Sequence, residues 1–239
     1  MCATPHLVHA ILDACNQPGC PVCRLSQQAV EHYLDGLLYE NVNELDLRQY
    51  LRRSLGFCNV HSWQLLEFRD VLGIAIIYHD ILGTVLSELP AESSTGEAQG
   101  WLRRLVSKTP PEKTGMAVQA LTPRKPCPAC QQQISTEKLI LTELVGSLKD
   151  EKIAGALADS QGLCLPHLRQ AIEHVQEESE FNTLLSISRK KLEALRVELG
   201  EFIRKSDYRF RQEGLGSERD SGRRAIRITV GEPLGKVEE

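Results

Sequence analysis

The chain has 239 residues, 41% of them hydrophobic and 25% charged, with a formal net charge of -4. This length suits one compact domain of two similar halves, or two small domains, with enough apolar residues to form a core without help from a metal. The negative balance excludes a chain-wide attraction to nucleic acid or an anionic membrane and leaves room only for a local basic patch.

Met1 to Leu12 lacks a basic start, an unbroken apolar run and a small-residue cleavage site, so no export signal is read there and a cytoplasmic location is expected. A short helix is expected before Pro18-Gly19, and a second over Arg24 to Glu40, where Leu25, Ala29, Tyr33, Leu37 and Leu38 recur at helical spacing. Asn43 can cap a further short helix through Leu51, which Gly56 ends in a left-handed position. From Asn59 to about Leu89 the apolar periodicity predicts one long helix. Its Val71 to Leu89 stretch has the length of a membrane span, but His79, Asp80 and Glu88 favour a buried core helix.

Pro90 to Gly96 and Pro110 to Gly115 have loop composition, with a turn or two of helix predicted at Trp101 to Val106. Residues 91–125 therefore read as a linker between a first unit over 1–90 and a second over 126–205. In the second unit, helices are predicted over Ile134 to Leu148, over Glu151 to Ala158, and from His167 to about Arg204. The last of these would be roughly 55 Å long, too long for one half. Residues 206–239 form an arginine-bearing tail. Ser217 to Asp220 resembles a helix start, although Ile226, Ile228 and Val230 also alternate as a strand would. A short helix is the expectation, and the fold class is all-α.

Six of the eight cysteines stand in paired motifs. Cys20-Pro21-Val22-Cys23 is followed by Cys58 and His61 in a CxxH pair; Cys127-Pro128-Ala129-Cys130 is followed by Cys164 and His167 in another. Thirty-four residues separate Cys23 from Cys58, and thirty-three separate Cys130 from Cys164. A CxxC turn puts two sulfurs on one side of a tight loop, and proline fixes one backbone angle there. A CxxH pair at a helix start adds one sulfur and one imidazole, where the helix dipole favours the thiolate. Together the two pairs complete a Cys3His tetrahedron, a common structural zinc geometry.

The matched spacing favours pairing within each half: Cys20, Cys23, Cys58 and His61 as one site, Cys127, Cys130, Cys164 and His167 as the other. Exchange between the halves is the alternative that spacing alone leaves open. Zinc is the leading metal, two ions per chain, and an iron–sulfur cluster with one histidine ligand is the second reading. With every position filled by protein, the default role of the metal is structural.

Elsewhere the signals are weaker. Cys15 reads as a small core residue, and Cys2, His6 and His9 as exposed near the chain start. His79 reads as a hydrogen-bonded core histidine, and His32 and His174 as solvent-facing. The tail arginines are interleaved with Glu213, Glu218 and Asp220, which suggests a solvated face. No nucleotide loop, HExxH or nucleophile motif is present, so a non-enzymatic role leads.

The order CPxC, GFCxxH, CPxC, GLCxxH, a long helix and the EFIRKSDYRF segment resembles a family of bacterial helical proteins of unknown function with tandem cysteine-rich motifs. The resemblance runs from about Cys20 to Val230. It implies a bacterial cytoplasmic protein with the eight ligand positions above, and it brings no activity with it. The leading function is a zinc-stabilised interaction or scaffold module, acting on a protein partner or as a homo-oligomer through the long C-terminal helix. An iron–sulfur redox or sensing protein is the first alternative, and zinc-dependent nucleic-acid binding the second.

Overall fold

A computed structural model describes residues 5–90 and 112–233. Among them are eleven α-helices and no strand, so the all-α expectation holds. The helices are α1 (Pro5–Cys15), α2 (Pro21–Gly36), α3 (Leu45–Ser54), α4 (Asn59–Leu65), α5 (Val71–Glu88) and α6 (Glu112–Ala120), then α7 (Pro128–Gly146), α8 (Glu151–Asp159), α9 (Leu165–Glu173), α10 (Glu178–Lys205) and α11 (Ser221–Val230). Cys2 and the turn predicted at Trp101 to Val106 lie outside the described residues.

Two compact units form, and they interleave in sequence rather than follow the expected division at 1–90, 91–125, 126–205 and 206–239. Unit one takes Met1–Glu31 and Gln132–Glu239; unit two takes His32–Gln131.

Unit one is built on the apolar stripe of α7. Ile140, Leu141, Leu144, Val145 and Leu148 are buried there against Ile11 and Cys15 of α1, Ile153 and Leu157 of α8 and Leu184 of α10. Burying a side chain of this size contributes about 1.5–3 kcal/mol. Cys15 is a core residue, as expected, and burial pushes its thiol up to about 11.

The long helix predicted from His167 breaks before Glu177: α9 ends at Glu173, and Glu177 caps α10 reciprocally with Glu180. What remains in α10 is 28 residues, or about 42 Å. The Glu201 to Phe210 stretch folds back at its end. Arg204 pairs with Glu201 and Glu213 and stacks 4.7 Å over the Phe210 ring, while Lys205 reaches Glu218 at 2.8 Å. That lysine, with the Gly216 N–H, holds the Glu218 carboxyl down at about 2. The tail then forms the short helix α11, stopped by Gly231 at φ +93°.

In unit two, the helix predicted over Asn59 to Leu89 is broken. Arg69 takes a left-handed φ of 59°, and Asp70 caps α5 by accepting from the Gly73 N–H at 2.9 Å. A side chain at Gly73 would strike that capping carboxylate, which accounts for the glycine. Left-handed backbone also closes α3, at Leu55 as well as at Gly56.

Helix α5 corrects another expectation. Only Gly73, Ile77 and Ile81 are buried, so it is not a core helix. By length and composition it could cross a bilayer, with a mean hydropathy of 1.4. His79 is exposed rather than packed in a core. Asp80 is instead the polar anchor of α5 on α3: Arg52 donates to both its carboxylate oxygens at 2.8 Å, and Arg48 to one at 3.3 Å.

The Arg52 bonds, joined by Arg48, outweigh burial and hold the Asp80 carboxyl below its usual range. A depressed carboxylate adds stability above its unfolded pKa and loses it as pH falls through the folded one. Asp80→Asn should therefore lower the stability of unit two at pH 7 by about 1–2 kcal/mol. The deficit should shrink as the wild type is acidified through the carboxylate range. Melts over a pH series check both the size and the trend.

Candidate metal centres

Each of the four motifs sits at a helix start. Pro21 and Pro128 are the first residues of α2 and α7, where a missing N–H costs nothing. Cys58 and Cys164 are the residues that precede α4 and α9, both in extended backbone. Gly56 and Gly162, at φ +88° and +83°, turn the chain into those two helices. The same main-chain bond recurs four times: Arg24 N to Cys20 O, Ser62 N to Cys58 O, Gln131 N to Cys127 O, and Leu168 N to Cys164 O. Two positive helix ends thus face each set of sulfurs and favour thiolate.

The pairs combine across the sequence halves. Cys20 and Cys23 meet Cys164 and His167 in unit one; Cys127 and Cys130 meet Cys58 and His61 in unit two. Pairing within each half, favoured by the spacing, is therefore corrected to exchange. Equal spacing says only that the motifs are alike; burial of α7 against α1, α8 and α10 is what carries Cys164 to Cys20.

In unit one, His167 Nδ1 lies 3.5, 3.3 and 3.1 Å from the sulfurs of Cys20, Cys23 and Cys164, and Cys23 Sγ lies 3.7 Å from Cys164 Sγ. In unit two, His61 Nδ1 lies 3.3, 3.5 and 3.4 Å from Cys58, Cys127 and Cys130, and Cys58 Sγ lies 3.6 Å from Cys130 Sγ. Metal–sulfur bonds of about 2.3 Å and metal–nitrogen bonds of about 2.0 Å, set tetrahedrally, space their donors by roughly 3.5–3.8 Å. Both quartets fit a single four-coordinate ion.

Their surroundings differ. All four donors of unit one are buried, whereas in unit two only His61 is, and the three cysteines are half-buried. Unit one also supplies partners beyond the donors. Glu137 Oε1 sits 3.4 Å from His167 Nε2, the ring nitrogen that faces away from the sulfurs, and accepts from Gln133 Nε2 at 2.8 Å. A carboxylate in that position fixes the imidazole's orientation and tautomer.

From the far end of the chain, the Glu232 N–H donates to Cys23 Sγ at 3.5 Å. Gly231 lies so close that a side chain there would come 3.3 Å from Cys23 Sγ and 3.6 Å from Cys164 Sγ. Glu137 and Gly231 belong to no donor motif. Neither residue type nor spacing marks them, since both act through contacts made only in the fold.

Protons on the quartets compete with one another. Burial would raise Cys20, but bonds to Cys164, Cys23 and His167 hold it well below the ordinary thiol range. The bonds shared with Cys164 and Cys20 push Cys23 up. Burial works against charge on His167, yet its bonds to Cys164, Cys20 and Glu137 raise it to about 12. Burial raises Cys130 to about 12 and lowers His61. A cation would replace these protons, so binding must release acid and weaken as pH falls.

Loss of the Glu137 carboxylate has a specific consequence. Glu137→Gln should weaken metal retention in the unit-one quartet by about 10–100-fold and leave the unit-two quartet unchanged. Competition with a graded chelator, read by metal analysis, checks it.

The remaining expected residues fall outside these quartets. His6 and His9 are exposed, and His9 faces Asp13 at 3.4 Å. His32 is exposed, and His174 lies 3.2 Å from Thr142 Oγ1. Three tail arginines are engaged within unit one, Arg209 by Asp207, Arg224 by Glu198 and Asp220, and Arg227 by Glu232, as is Arg204 at the end of α10 by Glu201 and Glu213.

The model of a family of unknown function, DUF6062, matches residues 9–235. The chain belongs to the DUF6062 family. A relative from Caldicellulosiruptor sp. (strain Rt8B.4), described as an uncharacterized 23.9 kDa protein in the xynA 3' region, is 27% identical over 196 residues, covering 80% of this chain and 83% of the relative. No solved structure matches the chain. Membership thus covers both quartets and brings no activity to them.

Proposed function

We propose that the protein is a zinc-stapled helical interaction module of the cytoplasm, with one zinc ion in each quartet. The observation that carries the metal reading is the donor spacing: in both quartets all four donor atoms lie within 4.8 Å of one another, as around one ion. In an iron–sulfur cluster the four ligands are shared among two or four irons, so the full set needs donors further apart than these. Three thiolates and one imidazole suit zinc, and a reducing compartment keeps the thiols available.

Four protein donors leave no position for water or substrate, which supports a structural metal rather than a catalytic one. Each ion would tie together segments distant in sequence, Cys20 to His167 and Cys58 to Cys130. Nothing in this role needs the ion to change its valence. The pairing of Arg209, Arg224 and Arg227 with carboxylates weighs against their use as a nucleic-acid surface.

Metal analysis of full-length protein purified without air tests the reading. About two equivalents of zinc on a colourless sample are expected. Iron with acid-labile sulfide on a brown sample would overturn it.

A further inference from the structure

Helix α5 presents an apolar seam with a regular step. Leu72, Ala75, His79, Leu82 and Leu86 follow one another at intervals of three, four, three and four residues, the spacing of a two-helix coiled-coil seam. The opposite side of the helix, through Gly73, Ile77 and Ile81, is the buried one. Leu72 and Leu86 are each 71% exposed and Leu82 is 59% exposed, with Val71 at 78% beside them. Ala75 and His79 are exposed as well. The seam runs about 21 Å.

We infer that this seam is the contact through which two copies of the chain pair about a two-fold axis. Three observations select a second copy over other occupants. The acidic groups of α5 are held by its own unit, Asp80 by Arg48 and Arg52 and Glu88 by Arg124, so the seam carries no carboxylate that would repel its own image. A two-fold pairing requires a self-complementary patch, and an uncharged heptad seam with one polar residue, His79, meets that requirement. Val71, Leu72, His79, Leu82 and Leu86, at roughly 100 Å² each, give about 1,000 Å² over two copies, the lower edge of a specific interface.

A membrane fits less well. An anionic surface would be met by lysine or arginine along the polar edge of the face, and α5 itself contains neither.

This inference rests on the reading of the protein as an interaction module and not on the metal. Sedimentation equilibrium of the full-length, metal-loaded chain at about 10–100 μM tests it. The wild type should sediment at twice the 26.7 kDa chain mass. Leu82→Glu and Leu86→Gln should each sediment as single chains, with helix content and metal content unchanged because both positions are exposed. Val197→Glu, at an exposed position on α10, should remain paired.

A wild type of single-chain mass throughout this range would overturn the inference, as would a Leu82→Glu variant that stays paired. Co-sedimentation of a monomeric wild type with anionic phospholipid vesicles, abolished by Leu82→Glu, would assign the seam to a membrane instead. A monomer carrying two zinc ions ends this inference and leaves the metal reading intact; a pair of chains without metal does the reverse.

Discussion

Stripping the metal with a strong chelator should unfold unit two and leave unit one folded. The apparent free energy of a structural zinc site is on the order of 10 kcal/mol, comparable with the whole stability of a domain. What decides the outcome is the core each unit keeps. Unit one retains Ile140, Leu141, Leu144, Val145 and Leu148 of α7, packed against α1, α8 and α10. Unit two buries fewer large side chains, chiefly Leu34, Leu37, Leu38, Leu51, Phe57, Leu65, Ile77 and Ile81. Its quartet is also the more exposed of the two, so the chelator reaches it first.

Hydrogen exchange by peptide, with and without chelator, reads this directly. Protection should vanish over α3 to α6 and persist over α7, α8 and α10. Equal loss in both units would show that unit one depends on its metal as much as unit two does.

The second large effect tests the same division from the side of the core. Leu144 is fully buried at the centre of the unit-one cluster. Leu144→Ala removes three carbons and leaves a space that packed helices fill only in part, so unit one should lose about 2–5 kcal/mol. Denaturant melts of the metal-loaded protein give the value. A loss under about 1 kcal/mol would mean that the metal, rather than this cluster, holds unit one together. After Leu144→Ala, chelation should unfold unit one as well, because neither source of stability alone then exceeds the cost of ordering the chain.

Much of this architecture was legible in the residues. The helical steps of Leu139 to Leu148 and the loop composition at Pro18-Gly19 gave helices close to those observed. The eight candidate donors were marked by motif and are gathered into two quartets. Where the reading failed, the deciding contacts were long-range. Arg69 and Asp70 break a helix whose apolar periodicity runs on through them, because a left-handed residue and a capping carboxylate leave that periodicity untouched.

The apolar content of Val71 to Leu89 was read as core. Its spacing was equally that of a coiled-coil seam, and hydrophobicity alone does not name what lies against it. Glu137, Gly231 and Glu232 reach the unit-one quartet only because α7 and the tail are folded onto it. The exchange of pairs was open for the same reason: local spacing fixes the shape of each pair, and tertiary packing fixes its partner.

Two double variants test that exchange most directly. Cys20→Ala with Cys164→Ala strikes one quartet twice, so after mild chelation the chain should keep one tightly held metal ion. Cys20→Ala with Cys58→Ala strikes both quartets once and should keep none. Metal analysis showing the reverse, none retained in the first variant and one in the second, would contradict the crossed pairing.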